Sequence, residues 1–411
     1  MNEPKLRFKA NDGSEFPDWE EKKLGKIATR VTRKNKDNVT DIPLTISSAD
    51  GLIDQRDFFN KVVASKDMSG YYLLNNGEFA YNKSYSKGYD FGSIKRLNLY
   101  DCGALSTLYI CFALDENENS DFYQTYFDSL SWYSELQKIC AEGARNHGLL
   151  NVPTNDFFQL KLRVPGSQEE QQKIADFLST IDTVIEKQKA TVEAWEERKK
   201  GVMQKLFSQE IRFKADDGSE FPDWEEKKLG DVFEISSETN GNKYDKQQVM
   251  SVSDEYGVVN QIELQGRSFA GNDISKYKIV KTGQIVYTRS PLATKPYGII
   301  KLVGDETGIV SPLYIVNTVC DNNSSLFWYY YFDTPERTNN YLKPLVRMGA
   351  KHTMNISNEE WLSGKILAPC HAEQQKIADC LSSLDDVIEK QKATLAAWEE
   401  MKKGLLQQMF V

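Results

Sequence analysis

Glu170-Gln-Gln-Lys-Ile-Ala-Asp-Phe-Leu-Ser179, running on to Gln204, recurs as Glu373-Gln-Gln-Lys-Ile-Ala-Asp-Cys-Leu-Ser382, running on to Gln407. Most positions match over about five heptads, which is too long a run for coincidence. In the first copy Ile174, Leu178, Ile181, Ile185, Gln188, Val192, Trp195, Lys199, Val202 and Leu206 fall at alternating steps of four and three. In the second, Ile377, Leu381, Leu384, Ile388, Gln391, Leu395, Trp398, Lys402, Leu405 and Met409 keep the same register. That is an a/d seam, so each copy is expected to be a long helix with one narrow apolar stripe. At 1.5 Å per residue, about 38 residues give a rod of roughly 57 Å. One small body cannot cover such a stripe, and the other copy is its natural partner. Gln188/Gln391 and Lys199/Lys402 interrupt the seam at matching places. Polar seam residues cost stability and fix register. Pro165 followed by Ser167-Gln-Glu-Glu170 reads as a capping box for the first helix. The second starts after Pro369-Cys370-His371 without an equal cap.

Outward from the helices, Arg7-Phe-Lys-Ala-Asn-Asp-Gly-Ser-Glu-Phe-Pro-Asp-Trp-Glu-Glu-Lys-Lys-Leu-Gly25 returns almost unchanged as Arg212 to Gly230. Asp12-Gly13 and Asp217-Gly218 signal tight turns, and Pro17 and Pro222 keep the residues after them extended. Trp19, Leu24, Trp224 and Leu229 are expected as buried anchors. Between each such segment and the next helix lies a body of about 140 residues, the size of an ordinary domain. The bodies differ, but landmarks align: Gly77-Glu-Phe-Ala-Tyr81-Asn-Lys83 with Gly283-Gln-Ile-Val-Tyr287-Thr-Arg289, Phe91-Gly-Ser-Ile-Lys95 with Tyr297-Gly-Ile-Ile-Lys301, and Gly143-Ala-Arg145 with Gly349-Ala-Lys351. Gly103-Ala-Leu-Ser-Thr-Leu-Tyr-Ile110 likewise aligns with Gly308-Ile-Val-Ser-Pro-Leu-Tyr-Ile315. Ser106 to Phe112 and Ile309 to Ile315 read as strands, and Lys161 to Val164 and Lys365 to Leu367 as final strands entering the helices. Helix is expected in places within 129–141 and 325–347. The fold class is therefore α+β: two mixed α/β bodies separated by two long antiparallel helices, with a pseudo-twofold internal repeat. The expected divisions are 1–165, 166–208, 209–368 and 369–411.

A net charge of −9 excludes a uniformly basic nucleic-acid coat, so any DNA contact must come from local patches. Cys102, Cys111, Cys140, Cys320, Cys370 and Cys380 form no C-x-x-C pair and no metal spacing with the three histidines. Free thiols and the lack of long apolar runs point to a soluble protein of a reducing cytoplasm. Phosphate-loop, dinucleotide, nucleophile-elbow and zinc-protease motifs are all missing. The loops Ser290-Pro291-Leu292 and Ser311-Pro312-Leu313 lack the second proline and aromatic of an amino-methyltransferase motif. A non-catalytic chain is expected. Basic patches do occur. Lys26, Arg30, Arg33, Lys34 and Lys36 lie in one stretch without an acid. Lys83, Tyr85 and Lys87 sit in an aromatic–basic alternation between Tyr81 and Tyr89, suited to phosphate contact. Arg145 and His147, Arg289 and Ser290, and Lys351, His352 and Thr353 belong to loops able to reach phosphates or base edges. A solvated face, inward tyrosines and structural histidines would account for the same residues.

The paired Glu-Gln-Gln-Lys-Ile-Ala-Asp helices and the Phe-Pro-Asp-Trp-Glu segments resemble the specificity (S) subunits of type I restriction-modification enzymes. So do Tyr-Asn-Lys-Ser-Tyr-Ser-Lys-Gly, Ser-Thr-Leu-Tyr-Ile and the Gly-Ala-Arg loop. The resemblance covers the whole chain. It implies that the bodies are target-recognition domains for double-stranded DNA, each reading one half of an asymmetric, interrupted sequence. It implies that the helices form the spacer through the seam residues above. A rod of that length matches about 17 base pairs at 3.4 Å each, fewer once tilt is allowed for. Two methyltransferase (M) subunits and restriction/translocase (R) subunits are implied as partners, for adenine methylation and cleavage. S-adenosylmethionine, Mg and ATP would be bound by them, with no cofactor in this chain. Pro291 stands where the first body has Tyr85, which leaves the second body's contacts open. A protein-binding coiled-coil scaffold and a specificity subunit of a methylation-only complex are the alternative readings.

Overall fold

A computed structural model describes residues 4–48, 50–59, 64–140, 150–289, 292, 295–348 and 354–410. The chain forms two compact units, Met1–Ala190 with Ala393–Val411, and Thr191–Lys392.

In the first unit the strand Trp19–Lys23, extended by Pro17 before it, pairs antiparallel with Lys161–Pro165 and so closes the body just before the long helix. Next comes a four-stranded antiparallel sheet in the order Ala28–Arg30, Ile110–Leu114, Phe79–Asn82, Ser93–Arg96. A second four-stranded sheet runs Gly51–Asp54, Pro43–Ser47, Cys102–Leu105, Tyr72–Asn75. Helix Ser120–Asp128 supplies Phe122 and Phe127, and Trp132 at the N-cap of helix Tyr133–Ile139 joins them, in a core shared with Phe79, Tyr81 and Phe112. Asn119, whose side chain accepts from Phe122 N at 2.9 Å, caps the first of them.

The second unit repeats this plan. Glu225–Lys228 pairs with Lys365–Ala368, and the sheet Phe233–Ile235, Ile315–Val319, Ile285–Tyr287, Ile300–Leu302 has the same strand order. Where the first unit has its second sheet, this one has the strand pairs Met250–Ser253 with Gly257–Asn260 and Lys278–Val280 with Gly308–Val310. Tyr81 stacks on Phe157 with centroids 4.9 Å apart, and Tyr287 on Trp361 at 4.7 Å. Their hydroxyls donate to Phe91 O at 2.8 Å and Tyr297 O at 2.7 Å. The aligned landmarks at Tyr81 and Phe91, and at Tyr287 and Tyr297, are therefore buried locks, with tyrosine pointing inward.

Two sequence expectations need correction. The runs 106–112 and 309–315 are not continuous strands. Each crosses a turn between Cys102–Leu105 and Ile110–Leu114, or between Gly308–Val310 and Ile315–Val319. The serine makes the turn: Ser106 Oγ accepts from Leu108 N at 3.4 Å, and Ser311 Oγ from Leu313 N at 3.3 Å. Serine competes for backbone groups in this way. Nor does Glu170 complete a capping box. Its N–H donates to Ser167 Oγ at 3.5 Å, but its carboxylate turns away to Arg7.

The long helices are Gln168–Phe207 and His371–Met409. Each unit holds the start of one and the end of the other. In the first unit Leu178, Ile181 and Ile185 are buried in a core that also packs Leu395, Trp398, Leu405 and Met409. Lys402 Nζ lies 2.5 Å from Asp182 and Lys189 Nζ 3.9 Å from Glu399. In the second, Val192, Leu381 and Ile388 are buried, and Leu384 packs on the core; Trp195 is half-buried with Arg198 over its ring. There Lys199 Nζ lies 2.5 Å from Asp385 and Lys392 Nζ 2.9 Å from Glu196. Partner numbers fall along one helix as they rise along the other, so the pairing is antiparallel in each unit. The seam lysines are thus each matched to a carboxylate of the facing helix, the register-fixing role of polar seam positions. Gln188 and Gln391 are half-buried.

A buried ionic cluster distinguishes the second unit. Lys295 Nζ is 2.5 Å from Asp254, and Lys301 Nζ is 2.7 Å from Asp333 and 3.4 Å from Asp254. Burial pushes the Asp254 carboxyl up, but the two ammonium groups outweigh it and hold it below the usual range. A depressed carboxylate contributes stability above the unfolded-state value that is lost as pH falls through the folded one. The urea midpoint should therefore drop on acidification below about pH 4, and Asp254→Asn should remove part of that slope; an unchanged slope would show that the cluster adds nothing.

Candidate nucleic-acid interface

The first body's cations do not form one free patch. Arg33 donates to both oxygens of Glu78 at 2.8 and 2.6 Å, so the strand Phe79–Asn82 brings an acid to a stretch that has none in sequence. Lys34 Nζ donates to Gly70 O at 2.9 Å and sits 4.2 Å from the Tyr72 ring centroid. Arg30, at the end of its strand, donates to Tyr72 Oη at 3.5 Å. Lys26 and Lys36 are exposed.

Lys83 follows the strand Phe79–Asn82 and is half-buried. Loss of water and the nearby Arg30 charge lower its pKa from the ordinary lysine value. Among the described residues no carboxylate pairs with it. Tyr85 is 61% exposed and Lys87 is exposed, while Tyr81 is fully buried, so only the distal part of the alternation reaches solvent.

In the second body Arg289 occupies the place of Lys83. Its Nε is buried and makes no hydrogen bond among the described residues. Lys278 stands near it: desolvation and the Arg289 charge lower the Lys278 pKa, and its Nζ donates to Tyr314 O at 2.6 Å. The sequence reading missed Lys278. Counting back from the aligned Gly77 and Gly283 places it at the position of Tyr72, so the alignment already held the signal. In each body a half-buried lysine feels a second cation, Lys83 the charge of Arg30 and Lys278 that of Arg289. A partly desolvated cation near a like charge is unfavourable unless an anion completes the site. Arg145, His147, Ser290, Lys351, His352 and Thr353 lie outside the described residues. Among the described residues no histidine, cysteine, aspartate and glutamate group could hold a metal ion, and no helix is long and apolar enough to cross a membrane.

Comparison with known proteins gives one answer. The sequence is 26% identical over 324 residues to the type I restriction enzyme MjaVIII specificity subunit of Methanocaldococcus jannaschii, covering 74% of this chain and 72% of that protein. Over 314 residues it is 26% identical to the MjaX specificity subunit of the same organism, covering 71% and 68%. Among solved structures, the S subunit of the type I restriction-modification system from M. genitalium superposes with a TM-score of 0.51 at 13% identity, covering 99% of both chains. A chain from work on complex assembly and conformational transition of a type I R-M system superposes with a TM-score of 0.54 at 16% identity, covering 96% and 98%. Those two likenesses carry the fold. The sequence model of the type I restriction modification DNA specificity domain matches residues 17–194 and again 222–397, and with both bodies so matched the chain belongs to the family of type I restriction-modification specificity subunits, whose domains recognise DNA targets.

Proposed function

We propose that each body reads one half of an asymmetric, interrupted duplex sequence, and that the paired helices set the unread gap and carry methyltransferase subunits. The observation that carries this reading is a repeated scaffold bearing unlike surfaces. Strand order, tyrosine locks and the arginine–glutamate pairs at the helix starts (Arg7 with Glu170, Arg212 with Glu373) recur in both units, while the solvent-facing residues at the strand ends differ. Base contacts specify and backbone contacts position, so unlike surfaces on a common scaffold fit two different half-sites. In this reading the chain is non-catalytic. Adenine methylation uses S-adenosylmethionine held by two M subunits, and cleavage uses R subunits with ATP and Mg. Cations with no carboxylate partner among the described residues take part of the phosphate charge, and partner subunits take the rest.

Methylome sequencing of cells with and without the intact chain tests this directly, returning both half-sites and the gap. Exchange of residues 26–165 for another such body should change one half-site and leave the other. One heptad inserted at matching places in both helices should lengthen the gap by about three base pairs, since seven residues rise about 10 Å along a duplex of 3.4 Å per step. An unchanged gap would remove the spacer role, and loss of both half-sites after one exchange would remove the division of labour.

A further inference from the structure

The turns Ser106-Thr-Leu-Tyr109 and Ser311-Pro-Leu-Tyr314 expose one leucine each: Leu108 is 68% and Leu313 70% accessible. A lone exposed leucine needs no explanation. The same leucine at the same turn of two diverged bodies does. Hydrogen bonds close both turns. Besides the serine Oγ contacts to Leu108 N and Leu313 N, Tyr109 N donates to Ser106 O at 3.3 Å and Tyr314 N to Ser311 O at 3.1 Å. Each tyrosine packs at the edge of a core cluster, which leaves the leucine outermost.

Strand register sets the neighbours. The last pairs before the turns are Tyr81 with Ile110 and Tyr287 with Ile315. Lys83 follows Tyr81 by two residues and Leu108 precedes Ile110 by two, so the cation and the turn leave the sheet at the same end, as do Arg289 and Leu313. In the second body Lys278 also holds the turn itself through Tyr314 O at 2.6 Å. In both bodies an outward apolar tip thus shares one sheet end with a cation that has no carboxylate partner among the described residues.

We propose that these turns are DNA-backbone clamps: Leu108 and Leu313 rest on deoxyribose faces while Lys83 and Arg289 take the flanking phosphates. The inference rests on the DNA-reading function above and adds to it. Because the clamp is the same in both bodies and the half-sites are not, it acts without regard to base sequence. Duplex DNA fits better than a protein surface because the cations at this sheet end have no acidic partner among the described residues, and a chain of phosphates supplies one at each step. A cation with a sugar-packing apolar neighbour positions a body on the duplex before its variable residues read bases.

The test uses the complete complex of this chain with its methyltransferase subunits and two fluorescein-labelled duplexes, one with the target and one scrambled. Removing both leucines (Leu108→Ala with Leu313→Ala) takes away apolar area whose burial corresponds to about a tenfold loss per turn. The loss should be equal on both duplexes. Lys83→Gln and Arg289→Gln should each lower the salt slope of binding by about one. All four positions are surface or strand-end sites, and a thermal melt of each variant confirms folding. Wild-type binding by the leucine variants would overturn the clamp, as would a loss confined to the target duplex. Failure of those variants to assemble with the methyltransferase subunits would also overturn it, assigning the turn to a protein partner. If the unaltered complex bound neither duplex, the DNA-reading function itself would fall, an outcome distinct from all of these.

Discussion

Gly92→Ala and Gly298→Ala are each expected to destroy the body that carries them. Gly92 has φ +79° and Gly298 φ +105°, the left-handed side of the backbone map, where an L side chain already costs about 1–2 kcal/mol. Sterics add far more. A Cβ on Gly92 would lie 1.9 Å from Asn82 O and 3.0 Å from the Tyr81 ring, and one on Gly298 2.0 Å from Thr288 O and 2.8 Å from the Tyr287 ring. Those oxygens belong to backbone next to the sheet, so relief requires the hairpin to open and the tyrosine lock to break. The expected loss is at least about 4 kcal/mol, the range reserved for overpacking with backbone strain. Gly88→Ala is the matched control: φ is +82°, yet nothing lies within 4 Å, so a loss of about 1–2 kcal/mol from conformation alone is expected. Urea unfolding followed by tryptophan fluorescence measures all three. Equal midpoints for Gly88→Ala and Gly92→Ala would show that the close approach to Asn82 O is not rigid.

Glu170→Ala and Glu373→Ala are expected to come next in size. Arg7 donates through Nε and Nη2 to the two oxygens of Glu170 at 2.9 and 2.8 Å, Trp19 Nε1 adds a contact at 3.4 Å, and Arg7 also reaches Pro17 O at 2.8 Å. Arg212, Trp224, Pro222 and Glu373 repeat the arrangement at 3.0, 2.8, 3.2 and 2.6 Å. Both glutamates are fully buried, whereas the arginine side chains keep 17% and 21% accessibility. Removing the carboxylate from such a pair leaves a cation and an indole N–H short of partners, and breaking a buried pair costs about 3–5 kcal/mol. Water can still reach each guanidinium, so the low end, about 3 kcal/mol, is expected. Glu170→Gln keeps the acceptor without the charge and should lose less. The clamp ties the opening segment to the first turn of the helix that comes after its body, so limited proteolysis should release residues before Trp19 in Glu170→Ala but not in wild type. Equal stability of Glu170→Ala and wild type would mean that the helix start is held by packing alone.

The two clamps show how far repetition in sequence reaches. Glu170 and Glu373 stand out because the surrounding letters recur, and so do Arg7 and Arg212, but nothing in the letters pairs them across the intervening body. Spacing suggested a capping box, since a serine three residues before a glutamate fits that pattern. A guanidinium that grips both oxygens is a stronger partner for a carboxylate than a backbone N–H that water or serine can satisfy. Likewise the apolar run at 106–112 looked like strand because leucine and tyrosine suit strands, while the serine hydroxyl diverted the backbone into a turn. Of the candidate contacts, Arg33 shows the same limit. It reads as a free cation until the strand Phe79–Asn82 delivers Glu78. Among the described residues no carboxylate pairs with Lys83, and Arg289 Nε makes no hydrogen bond; Arg30 and Lys278 are the charges near them.

The sequence by itself determined the repeat, the two long helices, their heptad register and the α+β class, because a seam of period 3.5 and a duplicated flank are local patterns that need no distant partner to be read. Tertiary structure decided the rest. It set which carboxylate holds which arginine, which cations are neutralised, and where a leucine is left facing solvent. Arg7 and Glu170 are 163 residues apart and Arg33 and Glu78 are 45 apart, so charge and exposure are settled only where such segments meet in space.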